Sequence, residues 1–128
     1  MSRIVLDASA LLALLNGEPG AEKLTPQLLS TATSSAVNLA EVQSKLVSRG
    51  IKPAEAWEAT LSPIREGAVF TDEQAKIAGG LITQTSAFGL SLGDRACLAL
   101  GIALKAPVYT ADRSWKNLKL SIRIHVVR

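Results

Sequence analysis

Residues 3–15, RIVLDASALLALL, decide how the rest of the chain is read. Arg3 to Leu6 is a short β-branched and apolar run, the composition of a buried strand. From Ser9 to Leu15 apolar residues recur at helical spacing, until Asn16-Gly17 and Pro19-Gly20 end the run. A buried strand that passes into a helix through one acid, Asp7, is the opening unit of an α/β layout.

The same alternation continues along the chain. A second helix is expected over Ala21–Ser30 and a second strand over Thr33–Val37, TSSAV. Asn38–Arg49 follows as a helix, with Leu39, Val42 and Leu46 on one face and Asn38, Glu41, Lys45 and Ser48 on the other. Gly50 ends it. Pro53–Leu61 is another helix, with Pro53 in its first turn. Ala68–Thr71 (AVFT) is a strand, and Asp72–Thr85 a helix weakened by Gly79-Gly80. Ser91–Leu104 is a strongly apolar helix, expected to be central. Pro107–Thr110 (PVYT) is a strand, Arg113–Leu118 a helical turn and Ile122–Val127 (IRIHVV) the last strand. Strands alternating with helices specify an α/β three-layer sandwich with a mostly parallel central sheet. Ligands of such sheets bind beyond the carboxyl ends of the strands, at a topological switch point.

The composition fits this frame. A chain of 128 residues, 48% hydrophobic and 20% charged, suits one domain spanning 1–128 that folds without disulfides or structural metal. The lone cysteine, Cys97, allows no intramolecular disulfide and fits a reducing compartment. The start, MSRIVLDAS, lacks a signal core, and the apolar run Ala96–Leu104 is too short to span a bilayer. A cytoplasmic protein without a membrane partner is expected. The net charge of +3 is compatible with nucleic acid and does not demand it.

Four acids fall where the sheet should open. Asp7 follows the first strand, and Asp112, in YTADRSW, lies just past PVYT. Asp94 begins the central helix in LSLGDRACLALG, and Glu41 is one turn into the helix after TSSAV. In a parallel sheet all four point to one end of the molecule. Each also has a plainer reading. Asp7 and Asp112 are placed to cap helices, Asp94 to close a capping box with Ser91, and Glu41 to pair with Lys45. Capping, however, does not explain Glu41 and does not require convergence. Two carboxylates about 4 Å apart repel by about 4 kcal/mol at an effective dielectric near 20. A converging set therefore calls for a cation, and hard divalent ions with oxygen ligands, Mg²⁺ or Mn²⁺, suit it. Such ions hold a scissile phosphate, activate water and stabilise the leaving oxygen.

VLDASALLALL, VNLAEV, LSLGDRACLALG and VYTADRSW together cover nearly the whole chain, and in them the sequence resembles the PIN-domain ribonucleases. Among these it is most similar to the VapC-type toxins of bacterial toxin–antitoxin modules. The resemblance implies one PIN-like nuclease domain cleaving RNA with Mg²⁺ or Mn²⁺. It implies Asp7, Asp94 and Asp112 as the main metal ligands, with Glu41 orienting water or a second ion. Ser9 and Thr110, each two residues from an acid, match supporting polar positions, as does Asn38, three residues before Glu41. A cognate antitoxin and a homodimer are the partners it implies, and a mean hydropathy of +0.24 in so small a chain agrees with the latter.

Arg95 and Arg113 each follow an acid directly and are candidates to clamp phosphate, with a local ion pair as the plainer reading. Trp115 is placed either to stack on a base or to pack the C-terminal turn on the sheet. Trp57 is expected in the core or an interface, His125 in a structural role, and Cys97 as a small buried hydrophobe. No G-x-S-x-G elbow or P-loop occurs. Two other classes remain open: an aspartyl phosphotransfer or phosphatase domain using Asp7, and a non-catalytic interaction module of similar fold. The first expects a second acid at position 9, where Ser9 stands, or paired acids at the first strand, where Asp7 stands alone. The second expects a lost acid, and none of the four is lost.

Overall fold

The computed structural model describes residues 2–128. Its central strand, β1 (Ile4–Leu6), is buried at every residue. Alternation sends Ile4 and Leu6 into one apolar cluster and Val5 into a second on the opposite face. One strand thus seeds two cores. Ile4 and Leu6 pack with α1 (Ala8–Asn16), while Val5 lies among residues of the later half of the chain.

The chain next makes a 3-10 turn, Ala21–Lys23, and a short helix α2 (Pro26–Leu29). The single helix expected over 21–30 is therefore split. Pro26 disfavours helical geometry at Thr25, which is extended and instead caps α2. Strand β2 is Ala32–Ser35, and α3 (Ala36–Ser48) begins two residues earlier than expected. Ser35 causes this: its hydroxyl accepts from the Val37 amide at 3.2 Å and caps the helix inside the run taken for strand. After α4 (Pro53–Leu61), β3 is Glu66–Ala68 rather than 68–71. Val69 is 77% exposed, and Thr71 already caps α5 (Asp72–Gly80). The helix expected to reach Thr85 divides at Gly80 into α5 and α6 (Ile82–Thr85), followed by a 3-10 turn at Ser86–Phe88. Next come α7 (Leu92–Leu104), β4 (Val108–Thr110), a 3-10 turn at Arg113–Asn117 and β5 (Ile124–Val126).

All pairings are parallel and the strand order is β3-β2-β1-β4-β5. The order reverses between β1 and β4, the switch point at which ligand crevices form. One cluster joins β1 and β2 to α1, α3 and α4; the other joins β1 and β4 to α7 and Trp115. This is the expected three-layer sandwich, with a wholly parallel sheet. Trp115 is fully buried, which leaves packing as its role, and Cys97 is fully buried within α7. Trp57 is partly buried against the first cluster. His125 is exposed on β5 and stacks on Tyr109, ring centroids 4.6 Å apart. No helix among the described residues is long and apolar enough to cross a membrane.

Candidate active site

Asp7 leaves β1 in extended geometry and caps α1, its Oδ1 accepting from the Ala10 amide at 2.8 Å. Two hydroxyls complete its shell. Ser9 Oγ lies 2.8 and 2.9 Å from the two carboxylate oxygens, and Thr110 Oγ1, at the end of β4, donates to Oδ2 at 2.6 Å. The same hydroxyls accept amide protons from the next loop: Ala111 to Ser9 Oγ at 2.9 Å, and Asp112 to Thr110 Oγ1 at 3.0 Å. The ends of β1 and β4 are thus joined across the switch point. Asp7 is 2% exposed, and its pKa is pushed up to about 6. Burial is the main cause; the bonds from Thr110, Ala10 and Ser9 oppose it, and the charge of Asp94 adds to it.

Asp94 sits half-buried in the first turn of α7. It makes the capping box foreseen in the sequence: its Oδ2 accepts from the Ser91 amide at 2.9 Å, and Ser91 Oγ accepts from the Asp94 amide at 3.2 Å. Asp112 is exposed and caps the Arg113–Asn117 turn through Oδ1, which accepts from the Ser114 amide at 2.9 Å. Three of the four acids are therefore caps. Capping uses one oxygen of Asp94 and one of Asp112, so it does not exhaust them.

Glu41 differs from its plainer reading. It forms no ion pair with Lys45; its Oε1 accepts from Asn38 Nδ2 at 2.8 Å. Asn38 is not on a solvated face but 1% exposed, and the same Nδ2 reaches the Gly93 carbonyl at 3.0 Å. This bond ties α3 to the start of α7. The Glu41 carboxylate rests where a side chain on Gly93 would begin: a Cβ there would lie 2.5–2.7 Å from its three carboxyl atoms. Sequence reasoning missed Gly93. A glycine inside an apolar helix, next to an acid, was the available signal of close approach.

Beneath the acids lies Cys97, whose thiol is pushed well up by burial and then by the charges of Asp7, Asp94 and Glu41. All three charges reach this one buried thiol, and the Asp112 backbone amide is bonded to Thr110, which donates to Asp7. The convergence is looser than the sequence implied. Among the described residues no group of three or more acidic, histidine or cysteine side chains is close enough to hold one ion. Each acid is held by its own local bond, and like charges resist closer approach.

The donor set nevertheless suits a hard divalent cation. All four groups are carboxylates, and neither salt bridge among the described residues involves any of them. Asp94 Oδ1, Asp112 Oδ2 and Glu41 Oε2 have no protein donor among those residues, and Asn38 Oδ1 is buried without a partner. Of the two arginines, Arg95 turns away, its Nη1 donating to the Ala78 carbonyl of α5 at 2.9 Å. Arg113 stays at the site, lining with Ser9 and Asp112 a groove of about 620 Å³.

An all-parallel α/β sheet with unpaired carboxylates over its switch point defines the class, and comparison with known proteins gives the family. The PIN domain model matches residues 4–120, and the chain belongs to this family. Similar solved structures include the DNA-bound VapBC of Salmonella typhimurium, at 16% identity and TM-score 0.75 over 100% of both chains. VapC20 of Mycobacterium tuberculosis, a toxin that cleaves the sarcin–ricin loop, is 19% identical with TM-score 0.73 over 94% of this chain and 98% of its own. VapBC2 of Rickettsia felis, bound to a promoter DNA fragment, is 22% identical with TM-score 0.71 over 94% and 96%. At these identities the likeness is one of fold. No curated protein matches the chain in sequence.

Proposed function

We propose that this chain is a Mg²⁺- or Mn²⁺-dependent endoribonuclease, the toxin of a toxin–antitoxin pair, with residues 1–128 acting as one nuclease domain. The observation that carries this reading is the set of four carboxylates around the switch point without a basic partner of their own. Membership of the PIN family and likeness in fold to VapC toxins support it.

Asp7, Asp94 and Asp112 would hold the ion, which when bound neutralises the repulsion between carboxylates and phosphate and lowers the pKa of water. Asp7 is the fixed member: Ser9 and Thr110 hold it, so its orientation costs no reorganisation during reaction. Glu41, steadied by Asn38 through Oε1, presents Oε2 to orient the attacking water. Arg113, beside Asp112, is placed to meet the substrate phosphate, whereas Arg95 is occupied by α5.

The test is cleavage of single-stranded RNA by purified protein. Cleavage with Mn²⁺ or Mg²⁺ that stops in EDTA is expected; undiminished cleavage in EDTA would sink the metal-dependent reading. The partners in this reading are the RNA, a second copy of the chain and a cognate antitoxin, the last suggested by the VapBC complexes of similar fold. Exposed Val47, in the last turn of α3, and Ile51, three residues past its end, offer apolar surface for such contacts. Light scattering should give twice the 13.5 kDa chain mass, and more once the product of the neighbouring gene is added. A persistent monomer would count against the dimer.

A further inference from the structure

The groove beside Asp112 does not end there. It is lined by Lys45 and Arg49 of α3, and by Arg113 and Arg128. Arg113 and Arg128 also line a second cavity, of about 510 Å³, with Lys116 and His125 of the edge strand β5. The two cavities share Arg113 and Arg128 and together run from α3, past Asp112, to the sheet edge. Five permanent cations border it against two anions, Glu18 and Asp112. That local excess of three equals the net charge of +3 on the whole chain.

The cations are available for an external partner. All five are exposed. Lys45, Arg113 and Lys116 take part in neither salt bridge among the described residues, and Arg49 meets only the neutral Asn16 Oδ1 at 3.3 Å. Arg128 pairs loosely with Glu18 at 3.6 Å. Its place in the path is built. Val127 donates to the Thr110 carbonyl at 2.8 Å, and its own carbonyl packs on Gly20, whose positive φ and missing Cβ leave room for it. By α5, in contrast, Lys76 shares its cavity with Asp72 and Glu73.

We infer that Lys45, Arg49, Arg113, Lys116 and Arg128 form a phosphate-tracking path that carries the RNA backbone from α3 across Asp112 to β5. The inference rests on the nuclease reading and adds the direction in which the substrate lies. Acids repel a polyanion, so the strand must be held by charges beside them, and this border carries more cations than any other described cavity. Such contacts position the strand without reading its sequence.

Binding of a short fluorescein-labelled single-stranded RNA, followed by anisotropy against salt in EDTA, tests the path apart from catalysis. The triple variant Lys45→Gln, Arg113→Gln, Lys116→Gln removes three exposed cations that hold no internal ion pair. Its slope of log K against log salt should be shallower by about 2, since each phosphate contact on a single strand contributes about 0.7. Lys76→Gln should leave the slope unchanged. Cleavage by the wild type, with equal RNA slopes for wild type and triple variant, would overturn the path and spare the nuclease reading. A reduced slope without any cleavage in Mn²⁺ would do the reverse. Absence of RNA binding by the wild type overturns the path, as does loss of polyglutamate binding in the triple variant with RNA binding intact.

Discussion

Asp7 and Asp112 both follow strands at the switch point, yet they occupy opposite physical regimes. Asp7 is buried, takes hydrogen bonds from Ala10, Ser9 and Thr110, and titrates near 6. Asp112 is exposed and takes one, from Ser114. Charge acts strongly where water is excluded and weakly where water and salt screen it. The difference divides the site into a preorganised floor and an adaptable rim. Glu41 belongs to the rim by exposure, although Asn38 and Gly93 steady it from below.

The largest effect should fall on the floor. Asp7→Asn keeps shape and removes the charge, and should lower the cleavage rate on the order of 10⁴-fold. Asp112→Asn should lower it by about 10²-fold, the scale for removing one electrostatic contact. Single-turnover rates with saturating Mn²⁺ measure both. Equal losses would erase the distinction between floor and rim.

The second effect is on stability and needs no substrate. A carboxyl raised from 3.8 to about 6 on folding favours the folded state most when protonated. That contribution is fully present below about pH 4 and is lost as pH rises through about 6. The span corresponds to about 3 kcal/mol, from about 1.36 kcal/mol per unit. Denaturant unfolding of metal-free protein between pH 4 and 7 should show this fall, and Asp7→Asn should flatten it while being the more stable protein at pH 7. A wild-type profile flat across that window would mean that Asp7 is not a buried charge.

How much of this was visible in the sequence depends on distance along the chain. Asp7 and Asp112 were legible because each directly follows a strand, Asp94 and Glu41 because each lies near the start of a helix, and the sandwich because the alternation is regular. Burial of Asp7 was not, because its shortest hydrogen bond comes from Thr110, 103 residues away. The resemblance marks Thr110 as a supporting residue, but nothing local says that its hydroxyl closes over Asp7. Three of the boundaries that shifted, at Thr25-Pro26, Ser35 and Thr71, are caps, where one side-chain bond outweighs the propensity of the run around it, whereas the division at Gly80 has no side-chain cap. Helical spacing pairs Lys45 with Glu41, whereas α7 delivers Gly93 to Glu41 and leaves Lys45 to the groove.

The smallest effect tests how the rim is steadied, and it separates stability from activity. Gly93 lies in the first turn of α7, where alanine is the better helix former by up to about 1 kcal/mol. On propensity alone Gly93→Ala should leave stability unchanged or raise it. The new Cβ, however, would occupy the space of the Glu41 carboxylate, which is exposed and able to swing into solvent. The helix can then keep its geometry while Glu41 loses its seat against Asn38. Cleavage should fall about 10- to 100-fold, the range for losing a group that orients a metal-site ligand. The double variant with Glu41→Gln makes the test specific. If Gly93 acts by seating the Glu41 charge, its substitution should add little once that charge is gone, because residues in contact are not additive. A Gly93→Ala loss that persists undiminished in the Glu41→Gln background would place the effect of the methyl elsewhere, at the capping box of Asp94.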